Sequence, residues 1–497
     1  MVGSKRPRNV SGSGVAHYIC SGDAMRMQNS APMGVRSSSG FHVDRAVMAG
    51  GWWLPPGSDD VAEVLAERYS LPNPAWSQWV KRRERVRFPG PEPDELLTVV
   101  HPIPDGPWAG GWYMPRCVPL SVGAPVSRLV APDAVTARLV ESLTLRPHQR
   151  AALEAVTVGG SALIEMPCGA GKTTFGEAVI ALVPSPALIL VHTLDLAKQW
   201  TQRIAEQMQS VSVGLVGAGK RQDDRRVVVA TLQTLSRWGW WERYEWAQRF
   251  GLVILDEAHH APAATFSEVL STIPAATRIG LTATPVRHDG LTAFVGWNFG
   301  QTAYRVTTQD LDRAGLTMAP EVVWVETGWS PPDEDMANHE RVAAMVEDYS
   351  RNLLVVDTAK RALADGRTVL VLADRVAHCR QLAALITREG YPAEALVGDV
   401  SAKRRDEILG RARAGELRCV TATSVADEGL DLPGLDCVIF ASPSGNLGRV
   451  QQRAGRAGRV CTGKRQPLVY DLVDDWGPYR GYARRRKKLY RSLGWSA

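Results

Sequence analysis

No run of about 18 apolar residues occurs anywhere in the 497-residue chain, so no segment reads as a membrane span. Lys5, Arg6 and Arg8 lie near the start, but no apolar stretch follows them, and the N-terminus does not read as a secretory signal. Cysteine is sparse and scattered. The seven are Cys20, Cys117, Cys168, Cys379, Cys419, Cys437 and Cys461, and none forms a CxxC pair. That argues against a structural zinc site and against a disulfide framework, and it points to a reducing, cytoplasmic setting. Neither half shows an obvious short-period repeat.

What is present fits a globular protein. Hydrophobic residues make up 45% and charged residues 22%, enough for a sizeable core. The length suggests two to four domains. The net charge of +6 is mild and only weakly favours a polyanionic partner. Its distribution says more. Arg480, Arg484, Arg485, Arg486, Lys487, Lys488 and Arg491 fall within one acid-free stretch, and Lys81, Arg82, Arg83, Arg85 and Arg87 form a second cluster broken by Glu84.

Composition divides the chain. Residues 1–45 are rich in Ser, Gly, Met and Arg without apolar period, and read as a disordered tail. Residues 46–136 are rich in Pro and Trp, and read as a small accessory domain. From about residue 137, short β-branched or apolar runs alternate with helical stretches. Such runs fall at 162–165, 187–192, 226–230, 252–255 and 278–281, with a helix expected over 194–208. This alternation implies βαβ units and a parallel sheet over 137–328. Ser330-Pro331-Pro332-Asp333-Glu334-Asp335 is a polar break, which places a linker at 329–345. Strands at 368–373, 418–422, 437–441 and 468–472 then mark a second α/β domain over 346–476, followed by a basic extension over 477–497.

The most specific local signal is the segment 166–173, Met-Pro-Cys-Gly-Ala-Gly-Lys-Thr, between an apolar strand and a helix. That context suits a P-loop. Gly169, Ala170 and Gly171 turn the backbone so that N–H groups face phosphate oxygens. Lys172 can reach the β- and γ-phosphates, and the Thr173 hydroxyl, next to Thr174, can ligate Mg²⁺. The helix N-terminus adds its dipole. Met166 stands where the motif usually has its first glycine.

A second acidic site follows. Val253, Ile254 and Leu255 run into Asp256 and Glu257 at the end of a strand. Asp256 is placed to hold Mg²⁺, and Glu257 to orient and deprotonate an attacking water.

Asp256-Glu257-Ala258-His259 resembles a DEAH box, and the chain resembles a superfamily 2 helicase from about residue 143 to 475. The resemblance implies two tandem RecA-like parallel-sheet domains with a nucleotide site between them. Leu145-Arg146-Pro147-His148-Gln149 resembles the adenine-reading element, with Gln149 on the base, which implies ATP. The segments around Thr193 and Thr231 resemble motifs that touch the nucleic-acid backbone, and Thr423 opens another in the second domain. Thr282-Ala283-Thr284-Pro285 resembles the motif coupling hydrolysis to domain movement. The longer run through Gly290, with the P-loop text, is similar to the branch holding XPB-type DNA helicases, phage recombination helicases and restriction-enzyme motors. Gly429 and Asp431 match positions that approach the ribose and phosphates. The segment 452–459, Gln-Arg-Ala-Gly-Arg-Ala-Gly-Arg, resembles the arginine-finger motif, with Arg456 and Arg459 facing the γ-phosphate and Gln452 placed to link to His259.

The resemblance therefore implies an ATP- and Mg²⁺-dependent helicase or translocase acting on DNA, in replication, recombination or repair. Three alternatives stay open: a restriction or defence motor subunit, an RNA helicase, and a nucleic-acid-binding scaffold with a weak ATPase. No nuclease or methyltransferase motif accompanies the motor, which weakens the first. A relic site would be expected to lose Lys172, Glu257 or Arg459, and all three are present. Segments 69–74 and 113–116 loosely resemble the accessory region of phage-type members. Arg484, Arg485 and Arg486, with Tyr482, Tyr490 and Trp495 nearby, suit a nucleic-acid strand through charge and stacking.

Overall fold

The structure, a computed structural model, describes residues 42–43, 46–83, 92–118, 121–122, 126–130, 132, 137–258, 263–283, 292–423, 432, 434–461 and 463–496. Most of the tail expected over 1–45 lies outside the described residues.

The accessory region forms a small five-stranded sheet. Its order is His101–Pro102, Trp112–Pro115, Gly51–Leu54, Val47–Met48 and Val126–Ser127. It does not stand alone. Trp53 is fully buried and clusters with Trp240 and Tyr244 of the helix Trp240–Ala247 in the next domain. Gly50 lies so close that a Cβ there would sit 2.1 Å from the Ser271 carbonyl oxygen. The buried Arg278 guanidinium donates to the Gly50 oxygen at 2.6 Å, and Arg116 donates to the oxygens of Ala49 and Ala275. Buried cations satisfied by carbonyls of both units make one continuous body of them.

The first large sheet is built from β1 (Ser161–Glu165), β2 (Ala187–Val191), β3 (Val213–Gly217), β4 (Lys220–Arg221), β5 (Val227–Thr231), β6 (Leu252–Leu255), β7 (Thr277–Thr282) and β8 (Thr302–Arg305). The order is β4-β3-β5-β2-β6-β7-β1-β8, parallel except for the β4 edge. Strands such as Ala-Leu-Ile-Leu-Val are buried on both faces, which is why they read as unbroken apolar runs. Helices α1 (Lys172–Leu182) and α2 (Leu194–Gln207) cover one face.

The second sheet holds β9 (Glu321–Glu326), β10 (Val369–Leu372), β11 (Ala393–Leu396), β12 (Cys419–Ala422), β13 (Cys437–Phe440) and β14 (Leu468–Val473), all parallel in the order β9-β14-β13-β10-β12-β11. Two expected boundaries are corrected here. β9 precedes the expected linker yet pairs with β14, so the second unit begins before residue 329. The polar break is an excursion within that unit, and the helix Asn338–Glu347 begins inside the expected linker. Composition detects exposure to water, not which sheet the next strand joins. The basic extension is also part of this unit. After α3 (Leu447–Ala457), the helix α4 (Gly477–Ser492) buries Tyr490 against the sheet, and Trp495 stacks on it.

Candidate functional site

The phosphate loop connects β1 to α1. Gly169 and Gly171 have φ of 87° and 81°, in the left-handed region where glycine is favoured. Gly171 also has no room for a side chain, since a Cβ would lie 2.4 Å from Nε2 of Gln149. Met166 is fully buried, and its N–H donates to the Thr282 oxygen at 2.9 Å, extending the β1–β7 pairing. A side chain at this position therefore packs into the core without obstructing the turn.

The acids sit at the C-terminal end of β6. Lys172 Nζ lies 3.0 Å from Oε1 of Glu257. Burial alone would lower the lysine, but the Glu257 carboxylate holds it above its ordinary value. Asp256 is almost fully buried. Its Oδ2 accepts from the Trp200 indole N–H at 2.8 Å, and its Oδ1 accepts from the Glu257 N–H at 2.9 Å. Burial and the neighbouring Glu257 charge push the Asp256 carboxyl up. Glu257 adopts φ of 50°, a left-handed conformation that costs a non-glycine residue about 1 kcal/mol or more and that clusters at functional sites. Thr173 lies on the first turn of α1, so the loop and strand supply an all-oxygen donor pair in Thr173 and Asp256.

The facing wall comes from the second sheet. Helix α3 carries Gln452 and Arg456, both buried, and ends just before Arg459. A Cβ on Gly455 would meet the Cys168 Cβ at 3.7 Å, and one on Gly169 would meet the Arg459 Cγ at 4.0 Å. The arginine turn is thus seated on the phosphate loop. Pro167, Cys168, Thr317, Gln452, Gly455 and Gly458 line the cleft between them. Asp195, at the start of α2, is ion-paired across the units with Arg405.

Two family matches fall on these halves. Residues 142–287 match the family described as the res subunit of type III restriction enzymes, and residues 352–461 match the helicase conserved C-terminal domain. The chain is 28% identical over 368 residues to a protein named DNA 3'-5' helicase XPB from Kineococcus radiotolerans, covering 71% of this chain and 64% of that one. The chain is thus similar to the superfamily 2 helicases of the XPB-like branch. The chain is also 27% identical to the probable helicase D10 of Escherichia phage T5, covering 65% of this chain and 71% of that one. It spans just under two thirds of the length of the Kineococcus relative. In fold it resembles S. cerevisiae Dbp5, solved with RNA and ADP BeF3, with a TM-score of 0.53, 18% identity, and 69% of this chain and 87% of that one covered.

Gln149 is buried beside the loop between β1 and α1. Its amide donates to the oxygens of Ala170 and Gly171 at 3.1 Å each, and its Oε1 accepts from the Arg146 N–H. Arg146 itself donates to the Gly169 oxygen at 3.0 Å. Thr174 accepts from Arg203, which also pairs with the buried Glu177. Thr282 is fully buried at the end of β7. His259, Thr284, Gly429 and Asp431 lie outside the described residues.

The expected nucleic-acid contacts divide. Thr193 caps α2, its hydroxyl accepting from the Leu196 N–H. Thr231 and Thr423 are buried, and the Thr231 hydroxyl bonds to that of Thr234, so neither is presented as an open phosphate contact. Arg484 and Arg485 are exposed on α4. Arg486 is a correction. It is 1% exposed and ion-paired with Asp471 at 2.7 Å, so it anchors α4 to β14 and cannot meet a strand. In a helix, neighbouring residues point about 100° apart. A run of three arginines therefore cannot share one face.

Trp200 and Thr317 were not foreseen. Trp200 carried one faint signal: it lies seven residues, about two turns, after Thr193 on an amphipathic helix. Gly176 makes room for it, since a Cβ there would lie 2.4 Å from the indole.

Proposed function

We propose that this chain is an ATP-driven motor on DNA, unwinding or translocating along it by opening and closing the cleft between its two sheets. The observation that carries this is the seating of the Arg456–Arg459 turn on the phosphate loop, opposite the Lys172–Glu257 pair. A complete hydrolytic site then needs both walls.

Lys172 leaves Glu257 for the β- and γ-phosphates when nucleotide enters, which frees the carboxylate. Glu257 takes a proton from a water attacking the γ-phosphorus in line. The bond to the β,γ-bridging oxygen breaks, and ADP and phosphate result. Arg456 and Arg459 meet the negative charge that develops on the transferring group. Among the described residues, no cluster of three or more His, Cys, Asp or Glu could hold a metal. Asp256 and Thr173, one carboxylate and one hydroxyl, would hold a Mg²⁺ ion, which would supply neutralisation of phosphate charge. Gln149, buried against the loop, is positioned to make the loop sensitive to adenine.

DNA is favoured over RNA because the two sequence relatives named above are a DNA 3'-5' helicase and a phage helicase, whereas Dbp5, solved with RNA, shares only the fold. Thr193, Arg484 and Arg485 are proposed to contact its phosphates without reading sequence. The test is ATP hydrolysis measured with no nucleic acid, single-stranded DNA, forked DNA, duplex DNA and RNA. Stimulation by DNA is expected. Stronger stimulation by RNA overturns the substrate, and no stimulation by any of them removes the motor. A strand-separation assay then distinguishes unwinding from duplex translocation.

A further inference from the structure

The chain passes from the first sheet to the second through a short segment after the helix Thr308–Arg313. That segment does not cross open space. The Met318 N–H donates to the Gly458 oxygen at 2.9 Å, and Thr317 forms an isolated antiparallel bridge with Arg459. The approach is close: a Cβ on Gly458 would sit 2.9 Å from the Met318 oxygen. The Thr317 methyl faces the phosphate loop, its Cγ2 3.1 Å from where a Gly169 Cβ would be. The Thr317 hydroxyl donates to Asp312. One buried residue thus touches the loop through its methyl, the preceding helix through its hydroxyl and the arginine turn through its backbone.

We propose that Thr317 and Met318 are positioning residues for Arg459. The connecting segment forms a two-residue ribbon with the arginine turn and rests on the phosphate loop. Any change in the angle between the sheets must pass through this segment. A hydrogen-bonded ribbon converts that rotation into movement of the Arg459 backbone, whereas a slack connection would leave Arg459 positioned by α3 alone. Gly169 and Gly458 are small where the ribbon touches each wall, so the contact needs no side chain to give way. The proposal rests on the hydrolytic role given to Arg459 above.

The test uses the full chain with Met318→Pro, which removes the donated N–H, and Met318→Leu, which keeps it. Met318→Pro is expected to lower kcat for ATP by about 100-fold, the scale of a catalytic group displaced by an ångström. KM for ATP and affinity for ADP should stay within about twofold, because ground-state binding does not need the arginine. Affinity for ADP with aluminium fluoride, which mimics the transferring group, should fall with kcat. Met318→Leu should restore both. Adding Met318→Pro to Arg459→Ala should cause no further loss, since Met318 acts only through that guanidinium. A wild-type rate in Met318→Pro, or losses that multiply in the double variant, overturns the proposal while the arginine assignment stands. A wild-type rate in Arg459→Ala overturns both. Should Met318→Pro fail to fold, Thr317→Gly gives the same readings by removing the contact on Gly169.

Discussion

The indole N–H of Trp200 donates to Oδ2 of Asp256 at 2.8 Å, at a point where both residues are buried. The same helix begins at the Thr193 cap. Trp200 thereby ties a segment proposed to meet nucleic acid to a carboxylate proposed to hold Mg²⁺. With the Glu257 N–H on Oδ1, it fixes the plane of the Asp256 carboxyl.

Trp200→Phe keeps most of the ring volume beside Gly176 and removes the donor. A hydrogen bond to a charged group contributes about 1.5–3 kcal/mol. The Mg²⁺ concentration that half-saturates nucleotide binding should therefore rise about tenfold or more. Nucleotide binding without metal should not change. A titration of fluorescent ADP against Mg²⁺ measures both, and an unaltered metal requirement would show that Asp256 does not depend on the indole.

Lys172 and Glu257 share one ion pair but have different tasks. Glu257→Gln should slow hydrolysis by about 10²–10⁴-fold, the range for loss of a general base, while ATP binding persists. Lys172→Ala should weaken ATP binding itself. Single-turnover hydrolysis and equilibrium binding separate the two, and equal losses of binding in both variants would argue against Glu257 as the base.

Three adjacent arginines on α4 should behave as two kinds. Arg486→Ala leaves the Asp471 carboxylate buried without its cation, and removing one partner of such a pair costs about 3–5 kcal/mol. Thermal unfolding should report that loss. Joint replacement of Arg484 and Arg485 by Ala should leave stability within about 1 kcal/mol, as at most surface positions. If each meets one phosphate, the slope of log affinity against log salt should become shallower by about 1.5. An unchanged slope would remove α4 from the DNA path.

His378 gives the stability an acid limb. Its Nε2 is 2.8 Å from Oδ1 of Asn352. Burial, reinforced by the Arg351 charge and partly opposed by Asp474, lowers it to about 4. The unfolded chain therefore binds a proton on this group at a higher pH than the folded chain does. Its contribution is fully present above the ordinary value near 6.5 and is lost as pH falls towards 4. Denaturant titrations across that window should show falling stability, and His378→Gln should flatten the part due to this group. An identical pH dependence in the variant would assign the limb to carboxylates instead.

Much of the candidate site's geometry was legible because it is local. Gly169, Gly171, Lys172 and Thr173 are adjacent in sequence, and the turn they form requires φ values that glycine favours. Asp256 and Glu257 follow an apolar strand in the same way. The alternation of buried runs with helices likewise announced two parallel sheets. α4 was misjudged for the opposite reason. A basic run looks solvated in sequence, yet Asp471, supplied by β14, neutralises Arg486 within the core.

The sequence by itself determined that this chain carries a phosphate loop, a carboxylate pair and a pair of arginines in the order of a superfamily 2 helicase. Short-range sterics and strand patterning suffice for the loop and the carboxylates, and the arginine pair follows from the resemblance. Only the tertiary structure decided which groups complete the site. Trp200 reaches Asp256 across 56 positions, and Thr317 reaches both Gly169 and Arg459. Such contacts depend on how sheets and helices pack, and no periodicity encodes which distant residue will fill a given space. The structure also decided that the connecting segment is hydrogen-bonded to the arginine turn, because a backbone N–H finds its acceptor in space and carries no mark of it in the sequence.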